Sequence, residues 1–278
     1  MGEEEGQNPG DSEGTVCNTI ANVAETKKSF LTPGALRAYE LTLKERTKGG
    51  SGMINEDRAM NNLLSSQPLC FNFFGELKLD LAFATAAMKS FIPQLRDVTD
   101  IRFEYAPPGS LTGDNSAFDV ACFYTRADGK RGMLGLECKY TDSFSEKEYD
   151  RQAYKIIFDR ARDRFRKPYE RYIQSRYNQP FRNELIAEGT LQNGLVDEAR
   201  TGLCCHHTHE KCLAIGEEFQ EMLMGGKEQF EIIQKDFISE IQRGGISWGR
   251  REWLMMLWAR YSRLTLSEGV AGTPGNGF

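Results

Sequence analysis

Two carboxylates and a lysine carry the clearest chemistry in this 278-residue chain. They are Asp119 in the run FDVACFY, and Glu137 and Lys139 in the run LGLECKY, with Cys138 between them. The turn RADGKR joins the two runs. If Ala127, Asp128 and Gly129 form a three-residue loop closed by a left-handed glycine, Arg126 pairs with Lys130. Asp119 then falls opposite Glu137. Alternation gathers Ala117, Asp119, Ala121 and Phe123 with Met133, Gly135, Glu137 and Lys139 on one face. Phe118, Val120, Cys122 and Tyr124 join Gly132, Leu134, Leu136 and Cys138 on the other, which reads as core. A two-residue type I′ loop at Asp128-Gly129 fits equally well and would separate the acids. In the first register the two carboxylates repel, and a divalent cation between them with Lys139 nearby would compensate. The small neighbours Ala121 and Gly135 leave room for a ligand. An acid two residues before a lysine is common on exposed strands, where it is only a solvated pair. The apolar run around Glu137 and Lys139 and the matching acid on the partner strand argue for a site. Neither Glu137 nor Lys139 is expected to be a core residue.

The elements that must position this hairpin are legible on both sides of it. GALRAYELTLKERTKGG reads as a helix ended by Gly49 and Gly50, and a second starts near Asn55. FNFFGELKLDLAFATAAMKSFI has helical spacing at Phe74, Leu77, Leu81, Ala84 and Met88 and stops near Pro93. VTDIRFEYAPPG is β-like until Pro107 and Pro108. Beyond the hairpin a helical stretch is expected to break at Pro168 and again at Pro180. TGLCCHH reads as a buried strand, EKCLAIGEEFQEMLMGG as an amphipathic helix, EQFEIIQKDFISEIQRGG as strand or helix, and REWLMMLWARYSRL as a terminal helix. With no repeat and no linker composition, this is one α/β domain over residues 15–266. It lies between an acidic tail (1–14), expected to be disordered, and a Gly-rich C-terminal tail (267–278), expected to be flexible.

Between Arg151 and Asn183 stand ten Lys and Arg against three Asp and Glu, with Tyr154, Phe158, Phe165, Tyr169, Tyr172 and Tyr177 interleaved. Such a run is usually a solvated helix with its aromatics packed inward. Its place directly after the candidate strand favours contact with a phosphate backbone instead. Arg160, Arg164 and Lys167, spaced by four and three, would form one stripe.

CCHHTHEKC holds all three histidines beside Cys204, Cys205 and Cys212. It invites a zinc-held interaction module, but structural zinc sites pair two knuckles separated by a dozen or more residues. On a strand, moreover, neighbours point to opposite faces. A strand end near the catalytic edge is the preferred reading, with the cysteines as reduced, buried thiols.

With 40% hydrophobic and 27% charged residues the composition is that of a globular domain able to build a core. A net charge of -5 argues against a general polyanion-coating protein, though local basic clusters still permit nucleic-acid binding. The acidic, Gly-rich start is unlike a signal or transit peptide, Gly6 breaks the myristoylation pattern, and no apolar run approaches a membrane span. A soluble, cytoplasmic protein is expected; self-association is left open.

FDV followed by LECKY resembles the Asp and Glu-x-Lys half-motifs of the PD-(D/E)XK, or restriction-endonuclease-like, nuclease superfamily. SSQPLCFNFFGEL upstream and QPFRNELIAE downstream extend the resemblance, which spans roughly residues 61–207, to a bacterial branch of nuclease-like proteins. It implies a mixed central sheet flanked by helices, with additional N- and C-terminal helices. It also implies Mg²⁺-dependent phosphodiester hydrolysis (Mn²⁺ as substitute) of nucleic acid, DNA foremost. Carried over, Asp119, Glu137 and the Cys138 carbonyl would hold the metal. Lys139 would orient the attacking water, and Glu76 would be the helical acid completing the site. Gln179 and Arg182 match the polar helix after the motif, contacting substrate or bracing the strand. Phe118 stands where the signature has proline. A catalytically idle relative that binds nucleic acid or protein is the alternative, and the intact Asp119, Glu137 and Lys139 speak against it.

Overall fold

The turn RADGKR sets the architecture. In the computed structural model, the Gly129 N–H donates to the Arg126 carbonyl and the Arg126 N–H to the Lys130 carbonyl, both at 2.9 Å. Gly129 sits at φ +88°, a conformation glycine adopts without steric cost. The three-residue loop is therefore the one formed, and pairing runs from Thr125–Arg131 to Val120–Leu136 in the expected register. The structure describes residues 5–7, 15–20, 27–46, 54–108, 111–113, 115–233, 236–243 and 248–261. The tail 267–278 lies outside them, and of the acidic tail only Glu5–Gln7 (β1) lies within. That segment pairs with Thr15–Ile20 (β2) in a separate two-stranded ribbon.

The main sheet has the order β3 (Leu95–Tyr105), β4 (Phe118–Arg126), β5 (Arg131–Lys139), β6 (Glu198–Cys205), β7 (Phe230–Ile233). β3, β4 and β5 form an antiparallel meander, whereas β5, β6 and β7 run parallel. β5 and β6 are buried along nearly their whole length, which explains their unbroken apolar character.

One sheet face carries α1 (Pro33–Arg46), α2 (Glu56–Asn61), α3 (Ser66–Leu79) and α4 (Leu81–Met88), with α9 (Asp236–Arg243) and α10 (Trp248–Tyr261). Phe71, Phe74, Leu77 and Trp253 there meet Val120, Cys122, Leu134 and Leu136 of the sheet. On the other face lies α7 (Ser175–Gln192), whose Ile186 and Ala187 pack on Phe118, Ala121 and Met133. α5 (Gln152–Arg160), α6 (Tyr169–Tyr172) and α8 (Glu210–Met222) complete an aromatic cluster around Phe158, Phe165, Tyr172, Phe181 and Phe219. The expected α/β class, a mixed sheet flanked by helices, is the fold observed. Among the described residues no helix is long and apolar enough to cross a membrane.

Two helix expectations need correction. The stretch 71–92 is not one helix, because Asp80 turns extended (φ -140°, ψ 91°) and caps α4 by accepting the Phe83 N–H at 2.9 Å. Pro180 does not interrupt α7. It lies in the second turn, where its missing N–H deprives only the Arg176 carbonyl, and the buried face beyond it holds the helix. The terminal helix is tied in through α3: the Trp253 indole donates to the Asn72 carbonyl, and the Asn72 amide to the Tyr261 hydroxyl, each at 2.9 Å.

Candidate active site at the open end of the hairpin

The β4–β5 ladder stops at Val120–Leu136, one step short of the acids. At the next hydrogen-bonding position the Cys138 N–H donates not to the β4 backbone but to the Asp119 carboxylate, at 2.7 Å. In an antiparallel pair a hydrogen-bonding residue turns N–H and C=O toward the same neighbour. Arg126 and Lys130 make such a pair, and the alternation carries that orientation to Cys138, so its carbonyl also points into the gap. The Phe118 ring crosses onto the α7 face and lies where a Gly135 side chain would be. The space expected above Gly135 is thus filled by Phe118, a reason for glycine there that concerns packing rather than a ligand. Phe118 accordingly leaves the face on which alternation alone put it.

Glu137 is buried, and each of its oxygens is held. Lys139 Nζ donates to Oε1 at 2.6 Å, as does the Gln179 amide at 2.5 Å, while the Asn183 amide donates to Oε2 at 2.9 Å. Gln179 and Asn183 lie four apart on α7 and so share a face. Gln179 is itself fixed, its Oε1 accepting the Ser145 N–H at 2.9 Å. Arg182 donates to Ser116 Oγ at 2.9 Å and lies over the Tyr149 ring at 4.6 Å. Asp119, Glu137, Lys139, Gln179, Arg182 and Asn183 line one cavity of about 270 Å³, with Arg58 and Glu104 among the other wall residues.

Glu104 is the acid that periodicity missed. It is the last residue but one of β3, at φ +49°, a left-handed conformation rare outside glycine, and the neighbouring pairs Phe103–Val120 and Tyr105–Phe118 set it beside Asp119. The two prolines that follow signal the strand's end, but nothing in the sequence marks the unusual backbone. Burial, then Glu137, then Glu104 push the Asp119 carboxyl well above the usual carboxylate range, against the pull of Lys139. For Lys139 burial acts against the charge, but Glu137 and Asp119 outweigh it and raise the ammonium above its ordinary value.

Other sequence candidates lie elsewhere. Glu76 points away from the cavity, against Gly34 of α1, and pairs with Arg250 of α10. Its helix approaches the site with its first residues, Ser66 and Gln67, instead. The stripe Arg160–Arg164–Lys167 does not exist, because α5 ends at Arg160 and a 3-10 turn (Arg162–Arg164) and extended chain follow. Arg164 turns inward to Glu184 and Glu188, while Arg160 and Lys167 are exposed. The interleaved aromatics are core. In the Cys–His run, Cys204 joins the α3-side core and Cys205 the aromatic cluster. His206 meets Thr208 at 2.7 Å, and His209 caps α8 while its Nε2 meets the Asp142 carbonyl at 3.0 Å. The cluster is therefore divided among different surroundings rather than gathered at one point.

The model of the PD-(D/E)XK nuclease superfamily matches residues 1–263. The chain belongs to that superfamily. No curated protein and no solved structure matches it. Within this PD-(D/E)XK chain Asp119, Glu137 and Lys139 are among the groups that line the cavity, beside the Phe118 that packs on Gly135.

Proposed function

We propose that this PD-(D/E)XK protein is a divalent-metal-dependent phosphodiesterase acting on nucleic acid, DNA foremost. One observation carries the reading: the β4–β5 ladder opens where Asp119, Glu137 and Lys139 share a cavity, and the Asp119 carboxyl is driven up by burial and then by Glu137 and Glu104. Like charges this close favour a cation among them. The donor set, carboxylates and the Cys138 carbonyl, is the hard oxygen chemistry that Mg²⁺ or Mn²⁺ accepts. Asp119 and Glu137 with that carbonyl would hold the ion, and Glu104 would add negative charge beside it. When bound, the metal supplies Lewis acidity, making water more acidic and drawing charge from phosphoryl oxygens.

The remaining work falls to the chain. Gln179 and Asn183 fix the plane of the Glu137 carboxylate, and the Cys138 N–H fixes Asp119. Lys139, kept charged by the two acids, is a donor for the oxygen on which negative charge accumulates. Arg182 and Arg58 on the walls suit the flanking phosphates. The test is cleavage of DNA and RNA with Mg²⁺ and with chelator, beside a Lys139→Ala preparation. Loss of cleavage in both controls is expected. Cleavage that persists with chelator or in the variant would sink the proposal.

A further inference from the structure

We infer that the strand to be cut enters this site unpaired, as a single strand or a frayed or overhanging end, rather than as an intact duplex. The inference rests on the nuclease reading above. The reacting groups lie on a floor: the Glu137 and Lys139 side chains are 8% and 9% exposed. The cavity over them, about 270 Å³, is small even for a small-molecule site, for which roughly 300–1,000 Å³ is usual.

Walls stand on several sides. Arg58 of α2 and the first residues of α3 form one, Asn115–Ala117 another, and Arg182 and Asn183 of α7 a third. In a duplex the complementary strand lies across a minor groove only about 6 Å wide. A phosphate lowered to Lys139 would therefore drive its partner strand against these walls. An unpaired backbone bends into the recess alone.

A second observation points the same way. An intact duplex binds through many cations set along its backbone. In the basic segment several such cations are instead bonded within the chain, with Arg160 and Lys167 among the exposed exceptions. Arg166 donates to the carbonyls of Leu223 and Met224, Arg176 pairs with Glu218, Arg164 with Glu188, Lys155 with Asp159, and Arg151 donates to the Gly113 carbonyl. At the cavity wall the Arg182 guanidinium carbon lies 4.6 Å from the centre of the Tyr149 ring, a cation–aromatic pair of the kind on which unpaired bases stack.

The test uses the full chain with Mg²⁺ and substrates of one sequence, in DNA and RNA versions. They are a single strand, a duplex with a single-stranded overhang, and a covalently closed duplex, with Lys139→Ala as the control for contaminants. Single-turnover rates on the single strand and overhang should exceed that on the closed duplex roughly ten-fold or more, because at least one base step must otherwise be unstacked. A closed duplex cut as fast as the single strand would overturn the inference and leave the nuclease reading standing. No cleavage of any substrate above the Lys139→Ala background would overturn both.

Discussion

Glu137 and Lys139 differ from the sequence expectation in one energetic respect. They are buried and hydrogen-bonded to each other, not merely exposed on a site face. Lys139→Ala should therefore abolish cleavage and also destabilise the fold, since it leaves a buried carboxylate without its cation, a loss of about 3 kcal/mol or more. Urea denaturation read beside single-turnover rates checks both, and a variant with unchanged midpoint and activity would contradict the arrangement. Asp119 yields a pH prediction. Its carboxyl is raised, so it keeps its proton to higher pH than an ordinary aspartate, and a metal must displace that proton. The Mg²⁺ concentration for half-maximal cleavage should thus fall as pH rises from the ordinary aspartate range toward the raised value. Glu104→Gln, which removes one of the charges responsible, should move this dependence to lower pH. A profile untouched by that substitution would remove Glu104 from the site.

At the scale of elements, α7 is the part that turns a hairpin into a site. Its Gln179 and Asn183 hold both oxygens of Glu137, so Gln179→Ala or Asn183→Ala should lower the cleavage rate about 10–100-fold, the usual cost of losing a group that orients a metal ligand. Rates within a factor of two of the parent would show that α7 merely packs there. α3 offers the contrasting case. Its Glu76 is bound to Arg250 rather than turned to the cavity. Glu76→Gln should leave cleavage intact and lower the thermal midpoint by loosening α3 from α10. The helical acid was carried over from resemblance, and resemblance in sequence does not report which way a helix is rotated. Arg164 failed for a related reason. Spacing by four and three makes a stripe only if the helix continues, and α5 ends at Arg160.

At the scale of the molecule, a second group of buried acids shapes stability. Glu184 and Glu188 lie in the interior between α7 and β6, with Arg164 against both, Thr201 donating to Glu184 at 2.6 Å and Gln229 donating to its other oxygen. Burial, then Glu184, push the Glu188 carboxyl up from 4.5 to about 8, with Arg164 opposing. A raised folded-state value means that between those pH values the folded chain binds more protons than the unfolded one, so this group makes stability fall as pH rises. Glu188→Gln should flatten the fall. Denaturation midpoints measured across that window check it, and an unchanged slope would mean that Glu188 is ionised throughout.

The sequence by itself determined what is local or strictly periodic. The glycine turn, the alternation on β4 and β5, and the apolar run that makes β5 central all follow from backbone sterics and burial acting over a few residues. These sufficed to bring Asp119, Glu137 and Lys139 together once the turn was known, although the sequence left two turns open. The tertiary structure decided everything that depends on how distant segments face one another. It chose the loop, opened the ladder one step early, crossed Phe118 over Gly135, and brought Glu104 in on a left-handed residue. It also engaged much of the basic segment in internal bonds and aimed Glu76 at Arg250. Such outcomes turn on the rotation of helices and on which buried polar groups find partners. Both are settled by the packing of the whole core, which no stretch of sequence encodes alone.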